Sequence, residues 1–335
     1  MQTSGFRRRL RIMVTDPAVL HPGRRKRYAH LLGGLRSSPD GTGPAEAAVE
    51  GAQIINEPTA ILFATDGTAA SQNARAAAAH IARTANAALH IVHVWSRTAA
   101  MGQAEHVAEG IASAVAADEA RMIEEQLGCP VAGVHTPTGS RAHGILATAR
   151  TVSAGIIVVG GRRLGIIEEL FTYRVSEDLV HRSFRPVLLV RDDGHDWPPG
   201  HVVVGCDGSP EATHAAGLAA WIARLSDADL RLVTVVHDEQ ANTLEEAERH
   251  LAPAVEAASE HLDAARVATR VVTHADVPDA LREACRSTRE PHLLAIGAAG
   301  SQATGAHPEF SVSRAIVHHT HVPLLLVPPT PHERG

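Results

Sequence analysis

The sequence is poor in aromatic residues, which make up 3% of its 335 positions, and it contains three cysteines. Few aromatics argue against a surface that stacks exposed nucleic-acid bases. An odd number of cysteines with no CxxC spacing favours a reducing compartment, so we expect a cytoplasmic protein. No apolar run approaches the roughly 18 residues that suggest a membrane-spanning helix, so no membrane association is expected.

Negative charge dominates the chain except at its start. The net charge is −6, yet residues 1–40 carry nine Lys and Arg against two acidic residues. The acidic remainder repels phosphate backbones, which argues against general nucleic-acid binding. Residues 1–55 also lack a sustained hydrophobic period, and we interpret them as a flexible basic tail. They could be an electrostatic tether to an acidic partner, a solvated tail, or the result of a translation start placed too early, with Met13 as the true start.

The chain repeats itself after residue 60. Three segments recur in the same order at nearly the same spacing: 61–74 with 202–215, 154–164 with 291–301, and 185–191 with 322–328. A period this long indicates duplication of a whole domain rather than a solenoid repeat. We therefore predict a first copy at 56–194 and a second copy at 195–335.

Within each copy, short apolar runs alternate with helical patterns. Strands are predicted near 60–65, 89–95, 131–135, 156–160 and 187–190, and near 201–206, 230–236, 268–273, 292–297 and 323–328. Strand–helix alternation implies parallel strands with helices on both faces, and near-continuous apolar strands fit burial on both faces. Each copy is thus predicted to be a doubly wound α/β domain.

The last strand of each copy, VLLV (187–190) and LLLV (324–327), is flat and apolar. An exposed sheet edge of that composition would aggregate unless it were paired or covered. We predict that the two copies pack through these strands about a pseudo-two-fold axis, with Leu188 near Leu325. A homodimer is a further open possibility.

Distinctive polar residues follow the strands where ligands bind in open α/β sheets. TDGT (65–68) and CDGS (206–209) follow the first strand of each copy. A carboxylate there can accept from a ribose hydroxyl or an adenine amine, or it can cap the next helix. Glycine-containing loops at 160–176 and 297–313 follow the fourth strands and allow backbone N–H groups to approach a phosphate.

Three features together resemble the universal stress protein family. They are D-G-[ST] after strand one, Gly139 at the start of the helix after strand three, and a G-x-x-G-x9-G-[ST]-V-S loop after strand four. The resemblance covers about 60–191 and 201–328. It implies a five-stranded parallel sheet of order 3-2-1-4-5 in each copy, pairing through strand five, ATP binding in one subgroup, and regulation of stress tolerance without known catalysis.

The second copy keeps more of the nucleotide-site residues that the resemblance implies than the first copy does. The second copy keeps the loop residue Cys206 and the motif residues Asp207, Val235, Gly297, Gly300, Ser311, Val312 and Ser313. The first copy keeps Asp66, Val94, Gly160, Val175 and Ser176.

Both copies also depart from the motif. In the second copy, Phe310 replaces the third glycine and Ala275 the counterpart of Gly139. In the first copy, two glycines and a hydroxyl are replaced by Arg163, Tyr173 and Arg174. We therefore expect ATP in the second copy and no or weak binding in the first. Arg162, Arg163 and Arg174 either hold an anion or form a solvated face.

No catalytic site is expected, because no G-x-S-x-G elbow, Walker A loop or G-x-G-x-x-G stands where a mechanism would need it. Slow nucleotide hydrolysis, for which Glu168 and Glu169 could position water, and a nucleotide-free scaffold for a regulatory protein partner remain the alternatives. No metal is expected beyond Mg²⁺ bound with the nucleotide. Within one strand, His90 and His93 face opposite sides and cannot share an ion.

Overall fold

The computed structural model describes residues 12–13, 57–95, 105–161, 179, 182–191, 197–237, 241–286, 292–298 and 312–329. The first copy contains β2 (Ala60–Ala64), α1 (Gln72–Ala85), β3 (Ala88–Val92), α2 (Glu105–Leu127), β4 (Val131–His135), α3 (Arg141–Thr151), β5 (Ile156–Gly161) and β6 (Val187–Arg191). The second contains β7 (His201–Gly205), α4 (Pro210–Ser226), β8 (Asp229–Val236), α5 (Ala241–Ser259), β9 (Val267–Thr273), α6 (Val277–Cys285), β10 (His292–Gly297), α7 (Val312–His319) and β11 (Leu324–Val327). A short strand, β1 (Ile12–Met13), precedes both copies.

The sheet order confirms the predicted fold. The strands lie in the order β1-β9-β8-β7-β10-β11-β6-β5-β2-β3-β4. Within each copy this is 3-2-1-4-5, and all neighbouring strands of one copy are parallel. Buried apolar clusters cover both faces of the sheet. The fully buried β2 shows why such strands are continuously apolar.

The two copies form one continuous sheet, because their closing strands pair with each other. β6 and β11 are antiparallel, and Leu188 lies directly opposite Leu325. This pairing confirms the predicted contact. It removes both apolar edges from solvent, which is the physical reason why the half-sheets do not end at these strands.

The helix that follows the first strand ends in the same way in both copies. Asn86 ends α1 and Asp227 ends α4, each in the left-handed conformation, with φ of 53° and 54°. Short polar side chains tolerate this backbone better than other non-glycine residues do. These equivalent ends fix the alignment of α1 with α4, and with it the correspondence between the two sites.

The start of the chain is described only in part. β1 pairs antiparallel with β9, with Ile12 opposite Val272 and Met13 opposite Val271. Two residues of the segment expected to be a flexible tail therefore have a strand partner. All of the rest of 1–55, and most of the segment 162–183 between β5 and β6, lie outside the described residues. None of the described helices is both long and apolar enough to cross a bilayer.

Candidate functional site

In each copy, strands one and four are neighbours, and the strand order reverses between them. In the second copy these strands are β7 and β10, whose register places Ile296 opposite Gly205. In the first copy they are β2 and β5, with Ala64 opposite Val159. Ligands of open α/β sheets bind beyond the carboxyl ends of strands at such a reversal. The residues that follow Gly205 and Ile296 therefore line the candidate site.

Asp207 organises the loop after β7. Its Oδ1 accepts hydrogen bonds from the Ser209 N–H at 3.0 Å and from Ser209 Oγ at 2.6 Å. Ser209 Oγ in turn accepts from the Ala212 N–H at 3.2 Å and caps α4. The cap is therefore Ser209, and Asp207 orients it. Among the described residues, Asp207 Oδ2 accepts no hydrogen bond, and the side chain is exposed.

Gly297 allows the end of β10 to lie against the first turn of α4. A Cβ at this position would be 2.6 Å from Ala212 N and 2.7 Å from the Glu211 carbonyl carbon, which no side chain can tolerate. The first-turn N–H groups of α4, with the positive end of its dipole, are thereby brought to the end of β10. Gly208 has a φ of +82° and supplies the turn after Asp207.

A second helix also begins at the end of β10. Ser313, in the first turn of α7, donates from Oγ to the Gly297 carbonyl at 3.3 Å. Its neighbour Val312 is exposed at the start of the helix. The structure thus brings Asp207, Gly297 and Ser313 to one edge of the sheet. Gly300 and Ser311 lie outside the described residues.

Two other predicted site residues point into the protein. Cys206 is buried, and its backbone N–H donates to the Val233 carbonyl at 2.8 Å. Burial, and next the Asp207 charge, raise the pKa of its thiol to about 12. The Cys206 carbonyl accepts from Thr234 Oγ1 at 2.8 Å, so both backbone groups of Cys206 are also paired inside the protein. Val235 in β8 lies opposite Val272 of β9 and packs half-buried against the core.

In the first copy, the equivalent aspartate is more fully engaged with its own loop. Asp66 Oδ1 accepts from the Thr68 N–H at 3.0 Å, from Thr68 Oγ1 at 2.6 Å and from Ser71 Oγ at 3.1 Å. Val94 is buried, and Gly160 lies in β5 opposite Val190. The remaining residues singled out in the first-copy loop lie outside the described residues: Arg162, Arg163, Glu168, Glu169, Tyr173, Arg174, Val175 and Ser176.

A buried ionic network beneath the first-copy loop was not predicted from the sequence. Glu119 of α2 accepts from Arg75 Nε at 2.6 Å, from the second Arg75 nitrogen at 3.1 Å, and from Thr65 Oγ1 at 3.3 Å. The side chains of Glu119 and Arg75 are 2% and 12% exposed. A sequence signal did exist, because Glu119 continues the spacing of the buried Ala112, Ala116 and Ile123 and so belongs to the core face of α2.

The second copy replaces this network with apolar residues. The helix ends align Arg75 with Ala216. An added Cβ would meet Val115 at Gly67 and His250 at the equivalent Gly208, so Val115 and His250 occupy equivalent positions. Glu119 and Ala254 each come four residues later and are therefore equivalent as well. Cys206, Ala216 and Ala254 are all buried. The same place beneath the loop is therefore ionic in one copy and apolar in the other.

Within the part of the chain that the structure describes, no group of three or more His, Cys, Asp or Glu side chains is placed to hold a metal ion. Cys129, Cys206 and Cys285 are all buried and form no disulfide.

Known proteins share both the sequence pattern and the fold. The model of the Universal stress protein family matches residues 58–191 and again 199–328. Universal stress protein YxiE of Bacillus subtilis (strain 168) is 31% identical over 144 residues, which cover 39% of this chain and 97% of YxiE. A universal stress protein from Archaeoglobus fulgidus DSM 4304 has the same fold, with a TM-score of 0.66 at 17% identity over 82% of this chain and 99% of its own. A Pseudomonas aeruginosa UCBPP-PA14 structure matches with a TM-score of 0.60 at 17% identity over 83% and 95%. The chain belongs to the universal stress protein family, and it carries the family's domain twice.

Proposed function

We propose that this protein is a non-catalytic stress-response regulator whose second copy binds an adenine nucleotide, ATP in the first instance. The observation that supports this most is the convergence of Asp207, Gly297 and Ser313 at the strand-order reversal, with Asp207 Oδ2 unpartnered among the described residues. A carboxylate there suits a ribose hydroxyl or an adenine amine, both of which donate hydrogen bonds.

The phosphates belong on the other side of the same crevice. α4 and α7 both begin beside the end of β10, and each directs the positive end of its dipole toward it. Gly297 lets the backbone come close, and the next loop glycine in the sequence is Gly300. Mg²⁺ would accompany the phosphates rather than occupy a protein site of its own.

The first copy is proposed to bind nucleotide weakly or not at all. Its loop has Arg163, Tyr173 and Arg174 where the motif has two glycines and a hydroxyl. A side chain at those positions occupies space that a phosphate needs. Asp66 Oδ1 also accepts three hydrogen bonds from its own loop, one more than Asp207 Oδ1 accepts.

The test is a calorimetric titration of ATP into the full chain and into Asp207→Asn. Asparagine keeps an acceptor for Ser209 and replaces Oδ2 with a donor, which cannot pair with a ribose hydroxyl or an adenine amine in the same way. Loss of a hydrogen bond to a charged group costs about 1.5–3 kcal/mol, so we expect roughly 10- to 100-fold weaker binding. Asp66→Asn is the matched control and should bind ATP like the wild type.

The other outcomes identify the alternatives. Equal ATP binding by the wild type and Asp207→Asn would refute the second-copy site. ADP release that disappears in Asp207→Ala would identify a slow hydrolase, and the absence of any thermal shift with ATP or AMP would favour a scaffold. Native mass spectrometry of protein purified from its host would show whether adenine nucleotide copurifies and whether the chain forms a homodimer or carries a regulatory partner.

A further inference from the structure

Two histidines from neighbouring strands of the first copy meet near the edge of the sheet. His90 is in β3 and His135 is the last residue of β4. His90 Nδ1 and His135 Nε2 are 3.3 Å apart, and the ring centroids are 5.4 Å apart with the planes tilted by 41°. Both side chains are half-buried. The pair lies on the outer side of the first copy, because β4 ends the strand order there.

The backbone is adapted to this contact. The β3–β4 register shifts between Leu89 and His90, so that His90 lies opposite Gly133 and His135 opposite Val92. A Cβ at Gly133 would be 2.9 Å from His90 Nδ1 and 3.2 Å from His135 Nε2. Any other residue at 133 would therefore push the rings apart. A bulge and a glycine together allow two imidazole nitrogens to approach each other.

The distance between His90 Nδ1 and His135 Nε2 is also the distance expected between two nitrogen ligands on one metal ion. Zinc binds imidazole nitrogen at about 2.0–2.1 Å, and two such ligands at a tetrahedral angle are about 3.3–3.4 Å apart. We propose that His90 Nδ1 and His135 Nε2 chelate a divalent first-row transition metal such as Zn²⁺ or Cu²⁺, with water completing the coordination. The ion takes the place of the proton between the two nitrogens, and the ring that donated it carries its proton on its other nitrogen instead.

The protonation state of the pair fits this role. Burial, and next the charge of His135, lower the pKa of His90 below 6.5, and burial lowers the pKa of His135. A lowered pKa favours the neutral ring, which is the form that binds a metal. Imidazole suits zinc and copper, whereas magnesium and calcium prefer oxygen ligands.

The experiment titrates ZnCl₂ or CuCl₂ into the full chain, free of any affinity tag, in a buffer that does not bind metals. The wild type should show a site that His90→Asn and His135→Asn each weaken at least tenfold. His143→Asn removes an exposed histidine from α3 of the same copy and should leave the affinity unchanged. MgCl₂ should not bind at this pair. Equal titrations of the wild type and either pair variant would overturn the proposal.

Gly133→Ala distinguishes a chelate from two independent histidines. It keeps both side chains, but the added methyl group forces the rings apart, so the affinity should fall at least threefold. A melting curve without metal shows whether this variant is folded. If it is folded and binds zinc as tightly as the wild type, the shared site is wrong. If it is unfolded, the two asparagine variants decide.

Discussion

The Arg75–Glu119 pair gives the sharpest stability prediction, because the second copy shows that the fold does not require it. Glu119 is 2% exposed and is bonded by both Arg75 and Thr65. Arg75→Met leaves this carboxylate buried with the Thr65 hydroxyl alone. Removal of one partner from a buried pair costs about 3–5 kcal/mol, because the remaining charge stays out of water without compensation.

Removal of both charges should cost much less. Arg75→Met with Glu119→Leu replaces the pair by apolar side chains of similar length. The second copy already has apolar residues, the buried Ala216 and Ala254, at the equivalent positions. Replacement of a whole buried pair by packed apolar residues is often neutral or stabilising. We expect the double variant to be within about 1 kcal/mol of the wild type, and the double-mutant cycle to give a coupling of at least about 2 kcal/mol.

Hydrogen exchange measures this effect separately in each copy. A loss of 3–5 kcal/mol should raise amide exchange in β2 and α1 of Arg75→Met by at least about 100-fold, since 1.4 kcal/mol corresponds to a factor of ten. Exchange in β7 and β8 is the internal control and should change little. Unchanged exchange in β2, or a double variant as unstable as Arg75→Met, would refute the argument.

Three further predictions concern the sheet junction, the thiols and the histidine pair. Leu188→Cys with Leu325→Cys should form an intrachain disulfide under mild oxidation, visible on a non-reducing gel, and failure to crosslink would contradict the paired register. Burial raises the pKa of Cys206 and Cys285 to about 12, so at pH 8 iodoacetamide should modify them roughly 10³-fold more slowly than unfolded thiols, and fast labelling of the folded chain would count against their burial. Because protonation of His90 or His135 removes a ligand, zinc binding by the wild type should weaken as the pH falls, and binding that does not change with pH would contradict the assignment.

The fold could be predicted from the sequence because the pattern of apolar strands and helices occurs twice. Each strand is a short apolar run, and the duplication supplied every element twice. The junction followed from the apolar composition of 187–190 and 324–327 alone. Strand ends were predicted less closely: the predicted strand 89–95 begins at Ala88 and ends at Val92, although the His93 N–H still donates to the His135 carbonyl and Trp95 forms an isolated bridge with Thr138.

Side-chain arrangements between elements could not be predicted in the same way. The sequence suggested that Asp207 either binds a ligand or caps α4, and only coordinates show that Ser209 is the cap. The sequence suggests His93, in the same predicted strand, as the metal-binding partner to test for His90, whereas a bulge brings His90 to His135 in the next strand. A one-residue shift of register cannot be read from apolar periodicity, because it depends on how two strands pair.

The antiparallel junction also determines how the two candidate crevices are related. Strands are parallel within each copy and antiparallel across β6 and β11. The carboxyl ends of the first-copy strands therefore lie at the same edge of the sheet as the amino ends of the second-copy strands. The crevices at Asp66 and Asp207 open at opposite edges, and each is built from its own copy. Substitutions at the two aspartates should consequently act independently on ATP affinity, because distant sites with no shared partners are additive within about 0.5 kcal/mol. A titration of the double variant Asp66→Asn with Asp207→Asn that departs from additivity by more than this would show that the halves communicate through the sheet.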